Sequence, residues 1–224
     1  MRNAAWDGVR AIAPLLIGVV PFGIVASVAT VDSGLGPGGA FGFSTLLYAG
    51  ASQLAALEVL GRDAPPLVAI GTIAIVNLRF VMYSAALAPH LSDVGLAPRL
   101  GAAYVLTDQA FAVSVTAYGR RALTPRARLA FYLAAACVMW LSWQAATAAG
   151  VLIGGALPDG APLDFALPLV FMVLLIPAIE DRPTAAAAVV GGVVAVLGAG
   201  LPAGTGLLLG AGGGIATGVL LAAR

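Results

Sequence analysis

The sequence predicts an all-α, polytopic membrane helix bundle of seven or eight transmembrane helices, and three observations predict it. Of the 224 residues, 61% are apolar and only 9% charged, whereas a soluble domain carries roughly 25% charged residues. Mean hydropathy is +1.02. Uncharged runs of about 20 residues, the length that crosses a bilayer, recur along the chain between short turns containing Gly, Pro and Asp. The connections leave no room for a soluble domain, so residues 1–224 are expected to form one integral membrane domain.

Residues 11–31 and 39–57 carry no charge and predict helices one and two, and 64–88, interrupted only by Arg79, predicts helix three. Residues 100–118 hold a single Asp108, while 129–157 and 165–179 hold no charge. These predict helices four, five and a short six. Residues 184–223 form an uncharged stretch twice the length of one span, broken near its middle by Gly198, Gly200, Pro202 and Gly204, which predicts a C-terminal helix pair. Arg2 and Arg10 ahead of an apolar run, with small residues at Ser27-Val28-Ala29, also fit a signal peptide; the membrane character of the remaining chain favours a first span.

Arginine placement tests the count, because cytoplasmic loops collect Lys and Arg. With the N-terminus inside, eight spans put Arg2, Arg10, Arg62, Arg120, Arg121, Arg126, Arg128, Arg182 and Arg224 on the inner side and only Arg99 outside. Residues 119–128 should anchor the fourth connection in the cytoplasm, and both termini lie on that side. Phe22 with Phe111, Gln53 with Gln144, and Asn77-Leu78 with Pro168-Leu169 recur at offsets of 89 to 91. This spacing predicts two three-helix units, 11–88 and 100–179, inserted in opposite orientations, with the pair at 184–223 outside the repeat.

Charge and composition exclude several function classes. The net charge is +1 and the sequence contains no Lys, so neither a nucleic-acid partner nor an acidic tail is indicated. Cys137 is the single cysteine, which excludes an intrachain disulfide framework. His90, expected in a loop on the outer surface, has no second His or Cys pair to complete a metal site, and no Ser–His pair shares a depth for hydrolysis. No enzyme and no cofactor is expected.

Polar side chains cluster at one depth instead. Gln53 falls near the centre of helix two, Asn77 and Arg79 at the centre of helix three, Thr107 and Asp108 at that of helix four, and Gln144 at that of helix five. A charge there costs at least about 2.5 kcal/mol, so these groups should face the bundle interior and satisfy one another. Arg79 reads equally as a structural partner of Asp108 and as a group presented to substrate. Asp108 also reads as a proton carrier, since burial favours the neutral acid and an adjacent guanidinium the carboxylate. Glu58, one turn from the cytoplasmic end of helix two, is the second proton-coupling candidate. Gln53, Asn77 and Gln144 either line a substrate path or serve as interhelical hydrogen-bonding glue.

Pro21-Phe22-Gly23 either unwinds helix one at mid-membrane, freeing backbone for a charged substrate group, or is a kink repaired by its neighbours. Gly206, Gly210, Gly214 and Gly218 make a small-residue stripe for close helix packing, within the bundle or with a separate subunit. Three functions remain open at this point: a secondary transporter, a channel or facilitator for a small polar solute, and a non-transporting assembly subunit.

The chain resembles the AzlC family, the large subunit of branched-chain amino acid exporters. The resemblance runs over roughly residues 11–179 and rests on Pro21-Phe22-Gly23, Tyr48-Ala49-Gly50-Ala51-Ser52-Gln53, Asn77-Leu78-Arg79 leading to Leu87-Ala88-Pro89-His90, and Leu106-Thr107-Asp108. It implies a permease of the bacterial cytoplasmic (inner) membrane that exports leucine, isoleucine, valine and related residues such as methionine, with a small AzlD-type membrane subunit as partner. Many relatives have His where this chain has Phe80 and Glu where it has Gln109, which leaves Asp108 and Glu58 as the available proton carriers. A zwitterionic aliphatic substrate needs an anion site, a cation site and an apolar pocket. Arg79 or the Phe22-Gly23 break, Asp108 or freed carbonyls, and Phe22, Leu54 and Phe111 would supply these. Since one methylene discriminates by only about 1 to 3 kcal/mol, overlapping substrates are expected.

Overall fold

The computed structural model describes residues 2–61, 64–155, 179, 181–200 and 205–222. Among them every regular element is helical. The first compact unit holds α1 (Arg2–Ile12), α2 (Leu16–Thr30), α3 (Gly36–Gly42), α4 (Gly50–Leu60), α5 (Pro66–Leu87), α6 (Leu96–Tyr104), α7 (Asp108–Arg120) and α8 (Pro125–Gly154). The second holds α9 (Arg182–Leu197) and α10 (Thr205–Ala222).

The spine of the first unit is a seam between α8 and the nearly continuous α1–α2, joined by a 3-10 turn at Ala13–Leu15 around Pro14. Small residues let the two backbones touch. A Cβ on Gly8 would strike the Phe131 carbonyl, one on Gly23 would lie 2.9 Å from the Ala146 methyl, and one on Gly154 would meet Val31 at 3.4 Å. Residue numbers rise together on both sides, so α1–α2 and α8 run parallel. The helix continues through Pro21-Phe22-Gly23, with Pro21 inside α2, so of the two alternatives there the structure has the repaired proline position and not the unwound one.

The chain leaves α2 through a turn that needs positive φ at Gly34 (86°) and Gly36 (63°), and α3 descends beside α2. Ser44 reaches Thr147 (Oγ to Oγ1, 2.6 Å), and Gly50 lies beneath the rings of Phe22 and Trp143. Between them the helix breaks: Tyr48 takes a left-handed conformation (φ 44°) and Ala49 is extended. Gln53, three residues into α4, then donates from Nε2 to Thr30 Oγ1 at 2.9 Å, near the end of α2 that α3 came from. A chain continuing inward would carry Gln53 about 15 Å away from Thr30, so α4 turns back. Residues 36–60 form a re-entrant hairpin.

A second hairpin enters from the opposite end. His90, just past α5, lies 3.3 Å from Arg128 at the start of α8 (Nδ1 to Nη1). Tyr104, ending α6, donates to the Thr45 carbonyl at 2.8 Å and accepts from Trp140 Nε1, midway along α8. After a break at 105–107, α7 returns until Tyr118 packs on Phe131 and Arg121 pairs with Asp7 of α1 at 2.6 Å. Both ends of this hairpin therefore lie at the end of the bundle that carries Arg120, Arg121, Arg126 and Arg128, called here the arginine end.

Segments 39–57 and 100–118 thus do not cross the bundle as single helices, α5 runs toward the arginine end, and His90 sits beside the arginine-rich connection instead of across from it. Hydropathy cannot distinguish a buried half-helix that turns back from one that continues. Among the described residues three helical segments are long and apolar enough to cross a membrane: Asn3–Leu47, Pro66–Leu91 and Pro125–Gly154. Of the paired positions offering a 3+3 repeat, Phe22 lies on a crossing helix and Phe111 on a returning half-helix, so they are not equivalent. Residues 168–169, and helix six at 165–179 apart from Ile179, lie outside the described residues.

Each break frees backbone carbonyls that need partners in hydrocarbon. Gln144 Nε2 donates to the Ser44 carbonyl at 3.0 Å, Tyr104 to Thr45, and Tyr132 to Ala102 at 2.6 Å. Thr107 caps α7 by accepting from the Ala110 amide at 3.2 Å. In the second unit Asp181 and Thr184 form a reciprocal capping box on α9. The glycine stripe of α10 packs against α9: a Cβ at Gly206 would strike the Gly198 carbonyl, and one at Gly214 would lie 2.8 Å from that of Ala187. The stripe is spent within its own helix pair.

This topology is testable in two ways. In a Cys137→Ala background, Ser92→Cys and Arg126→Cys should both react with a membrane-impermeant maleimide added to the same face of the membrane, whereas eight simple spans require opposite faces. Tyr132→Phe keeps the ring but strands the Ala102 carbonyl, and thermal unfolding should register a loss of about 1–3 kcal/mol.

Candidate functional site

Arg79 lies on α5 and Asp108 is the first residue of α7, at the broken tip of the second hairpin. The tip brings a carboxylate to the unpaired amides of a half-helix, where negative charge is favoured. Arg79 Nη1 meets Asp108 Oδ2 at 2.9 Å. One turn along α5, the Tyr83 hydroxyl faces the same carboxylate, and its ring stacks on Phe111 with centroids 4.4 Å apart. The Arg79 guanidinium also rests 5.2 Å from the centre of the Phe80 ring, a cation–π contact where a histidine would have supplied a titratable group.

The pair is only partly used by its neighbours. Arg79 Nε, Asp108 Oδ1 and Asn77 Oδ1 are buried atoms with no hydrogen-bond partner among the described residues. The two side chains remain 29% and 36% exposed. This combination, one satisfied contact and several idle polar atoms, is what a site for a small bipolar molecule requires. It also keeps the ion pair's contribution to stability modest, since partial exposure screens it.

Other predicted residues are placed differently. Gln53 is buried, with Nε2 on Thr30 and Oε1 without a hydrogen-bond partner. Phe22 meets Trp143 edge-on at 5.8 Å above Gly50. Gly23 lies in the α2–α8 seam, and Gln144 is committed to Ser44, so the structure gives both a packing task. Glu58 is exposed on α4; because α4 turns back, it lies away from the arginine end, not near it as expected. Two cavities among the described residues, about 310 Å³ between α5, α6 and α8 and about 410 Å³ between α1 and α7, do not include Arg79 or Asp108 in their walls.

Sequence reasoning missed Tyr83 and the carbonyl-binding Tyr104 and Tyr132. Tyr83 was detectable, lying four residues from Arg79 and so on the same helix face. Thr107-Asp108, an N-cap pair within an apolar run, was the available sign that a helix begins at mid-depth.

An apolar helical bundle with a polar centre at the tip of a re-entrant half-helix defines a multi-helical membrane protein. The family model described as AzlC protein matches residues 14–157, and the chain belongs to the AzlC family. The match starts near the 3-10 turn before α2 and runs past the end of α8. Among similar proteins is an uncharacterized membrane protein of Archaeoglobus fulgidus, 31% identical over 194 residues, which cover 82% of this chain and 79% of that protein. Another is the inner membrane protein YgaZ of Escherichia coli K12, 26% identical over 198 residues, covering 85% and 80%. No solved structure matches.

The ion pair yields a stability prediction. In a double-mutant cycle of Arg79→Gln and Asp108→Asn, thermal unfolding should show a coupling of about 0.5–1 kcal/mol. Additive losses would mean the two groups do not interact in the folded protein.

Proposed function

We propose that the chain is the large subunit of a secondary transporter that exports the branched-chain amino acids leucine, isoleucine and valine, with methionine as an overlapping substrate, across the cytoplasmic membrane. The observation that carries this reading is the Arg79–Asp108 pair with its idle polar atoms at the tip of a half-helix. An incoming zwitterion exchanges partners with it: the substrate carboxylate takes Arg79, and the ammonium takes Asp108 with Asn77 Oδ1 beside it. Phe111, stacked on Tyr83, supplies apolar surface beside the pair, while Gln53, with its idle Oε1, and Phe22 are candidates for lining the substrate path farther along the bundle.

The exchange preserves charge balance, so neither ion is stranded in a low-dielectric site. Asp108 and Glu58 are the two candidates for coupling transport to protons. The family membership supports a transport role, and the inner-membrane relative supports the location. The arginine end faces the cytoplasm by the positive-inside rule, which puts the N-terminus inside. A small AzlD-type membrane subunit completes the transporter.

The inverted arrangement typical of such carriers is read here from hairpin-plus-span units. Residues 36–87 make a hairpin entered from one end followed by α5, and 96–154 make one entered from the other end followed by α8. The first unit thereby offers three crossings.

Liposomes holding the protein with its small subunit, preloaded with labelled leucine, should exchange it for external valine by saturable counterflow. Arg79→Ala and Asp108→Asn should lower that flux at least tenfold while the complex still assembles. Linear, unsaturable flux would instead indicate a facilitator, and lost assembly with either substitution would indicate a scaffold subunit.

A further inference from the structure

The cavity of about 410 Å³ between α1 and α7 serves no part of this transport scheme. It is walled by Asp7, Ala11 and Leu15 of α1 and its following turn, by Ala112, Val113, Thr116, Ala117 and Arg120 of α7, and by Arg121 and Phe131. Its composition is divided by depth. The wall toward mid-bundle, Leu15 with Ala112 and Val113, is apolar, and the charged groups are confined to the arginine end.

Charge at that mouth is unbalanced. Arg121 spends one nitrogen on Asp7 at 2.6 Å and remains 54% exposed, which leaves most of its five N–H donors available. Arg120 is exposed and has no ion pair among the described residues. Two guanidiniums therefore face one carboxylate. Trp6 and Arg10 extend the same end of α1, with the guanidinium 5.4 Å from the ring centre and the indole 55% exposed, the composition that marks a membrane–water interface.

Length agrees with charge. From Asp7 to Leu15 the helix advances about 12 Å, close to the depth of one leaflet of a roughly 30 Å hydrocarbon core. The small side chains of Ala112, Thr116 and Ala117 leave the groove open for an alkyl chain.

We propose that this groove is a binding site for one anionic phospholipid of the leaflet at the arginine end. The phosphodiester sits on Arg120 and the free donors of Arg121, and one acyl chain lies along Ala11, Leu15, Ala112 and Val113. A zwitterionic lipid fills the same groove but brings its own cation to two guanidiniums, so headgroup charge sets the preference. The occupant steadies α7, whose other end carries Asp108.

The test is native mass spectrometry of the intact protein released from micelles doped with phosphatidylglycerol or phosphatidylethanolamine of matched chains. The wild type should retain at least one phosphatidylglycerol, favoured about fivefold or more, the contribution expected for one arginine near an anionic surface. Arg120→Gln should bring the ratio close to one, and Thr116→Trp, which fills the groove without touching charge, should lower retention of both lipids. Arg126→Gln, with the same charge change outside the groove, should leave the ratio intact. Equal retention of the two lipids by the wild type would overturn the proposal. So would an equal effect of Arg126→Gln, which would indicate diffuse attraction, or full displacement by soluble glycerol 3-phosphate, which would indicate a headgroup site with no role for the groove. Thermal unfolding of each variant verifies that it is folded, and Arg120→Lys, keeping the charge, should restore most of the preference.

Discussion

A backbone carbonyl in hydrocarbon must have a donor, and this fold is arranged around meeting that demand at two helix breaks. The break at Tyr48–Ala49 and the one at 105–107 each free carbonyls at mid-depth. Gln144 and Tyr132 of α8 supply two of the donors, and Tyr104, itself held by Trp140 of α8, supplies the third. One long helix therefore stabilises both re-entrant hairpins. Its position is fixed by the glycine seam with α1–α2, where a single added methyl at Gly150 would collide with the Ile24 carbonyl. Overpacking of this kind costs about 1–3 kcal/mol, enough to matter in a marginally stable protein.

The breaks allow a charged centre to exist at that depth. A continuous helix would have its amides paired internally, and a carboxylate beside it would rely on Arg79 alone. Starting α7 at Asp108 turns unpaired amides toward the carboxylate, while Tyr83 and Arg79 approach from α5. The resulting centre is held firmly by α5 and α7 and yet keeps unused hydrogen-bonding capacity. A fully satisfied buried network would be rigid and would have nothing left to offer a ligand.

Helix two illustrates how membership in the AzlC family and a local geometry bear on each other. The Gly50-Ala51-Ser52-Gln53 stretch reads as a motif in the sequence; in the fold it is the start of α4, where Gly50 leaves room for the Phe22 and Trp143 rings and Gln53 ties α4 to Thr30. A Cβ at Gly50 would stand 2.5 Å from either ring. The left-handed Tyr48 just before it is an uncommon conformation for a side chain of that size, held by burial and by the seam around it.

Composition and span length alone determined that this is a helical membrane protein, because apolar runs without charge have one stable environment. The polar residues Arg79, Asp108, Asn77 and Gln53 were legible as a group, since charge in an apolar run is costly wherever the helix lies. Direction was not legible. Hydropathy is a scalar, and a half-helix that returns has the same composition as one that crosses, so Glu58 and His90 were assigned to the wrong ends. Arginine counting could not detect the error, because moving Arg99 to the arginine end still leaves the arginines concentrated there. Only tertiary contacts decide direction: Gln53 on Thr30, His90 on Arg128, and Arg121 on Asp7 are each possible for a single orientation of the segment that carries them.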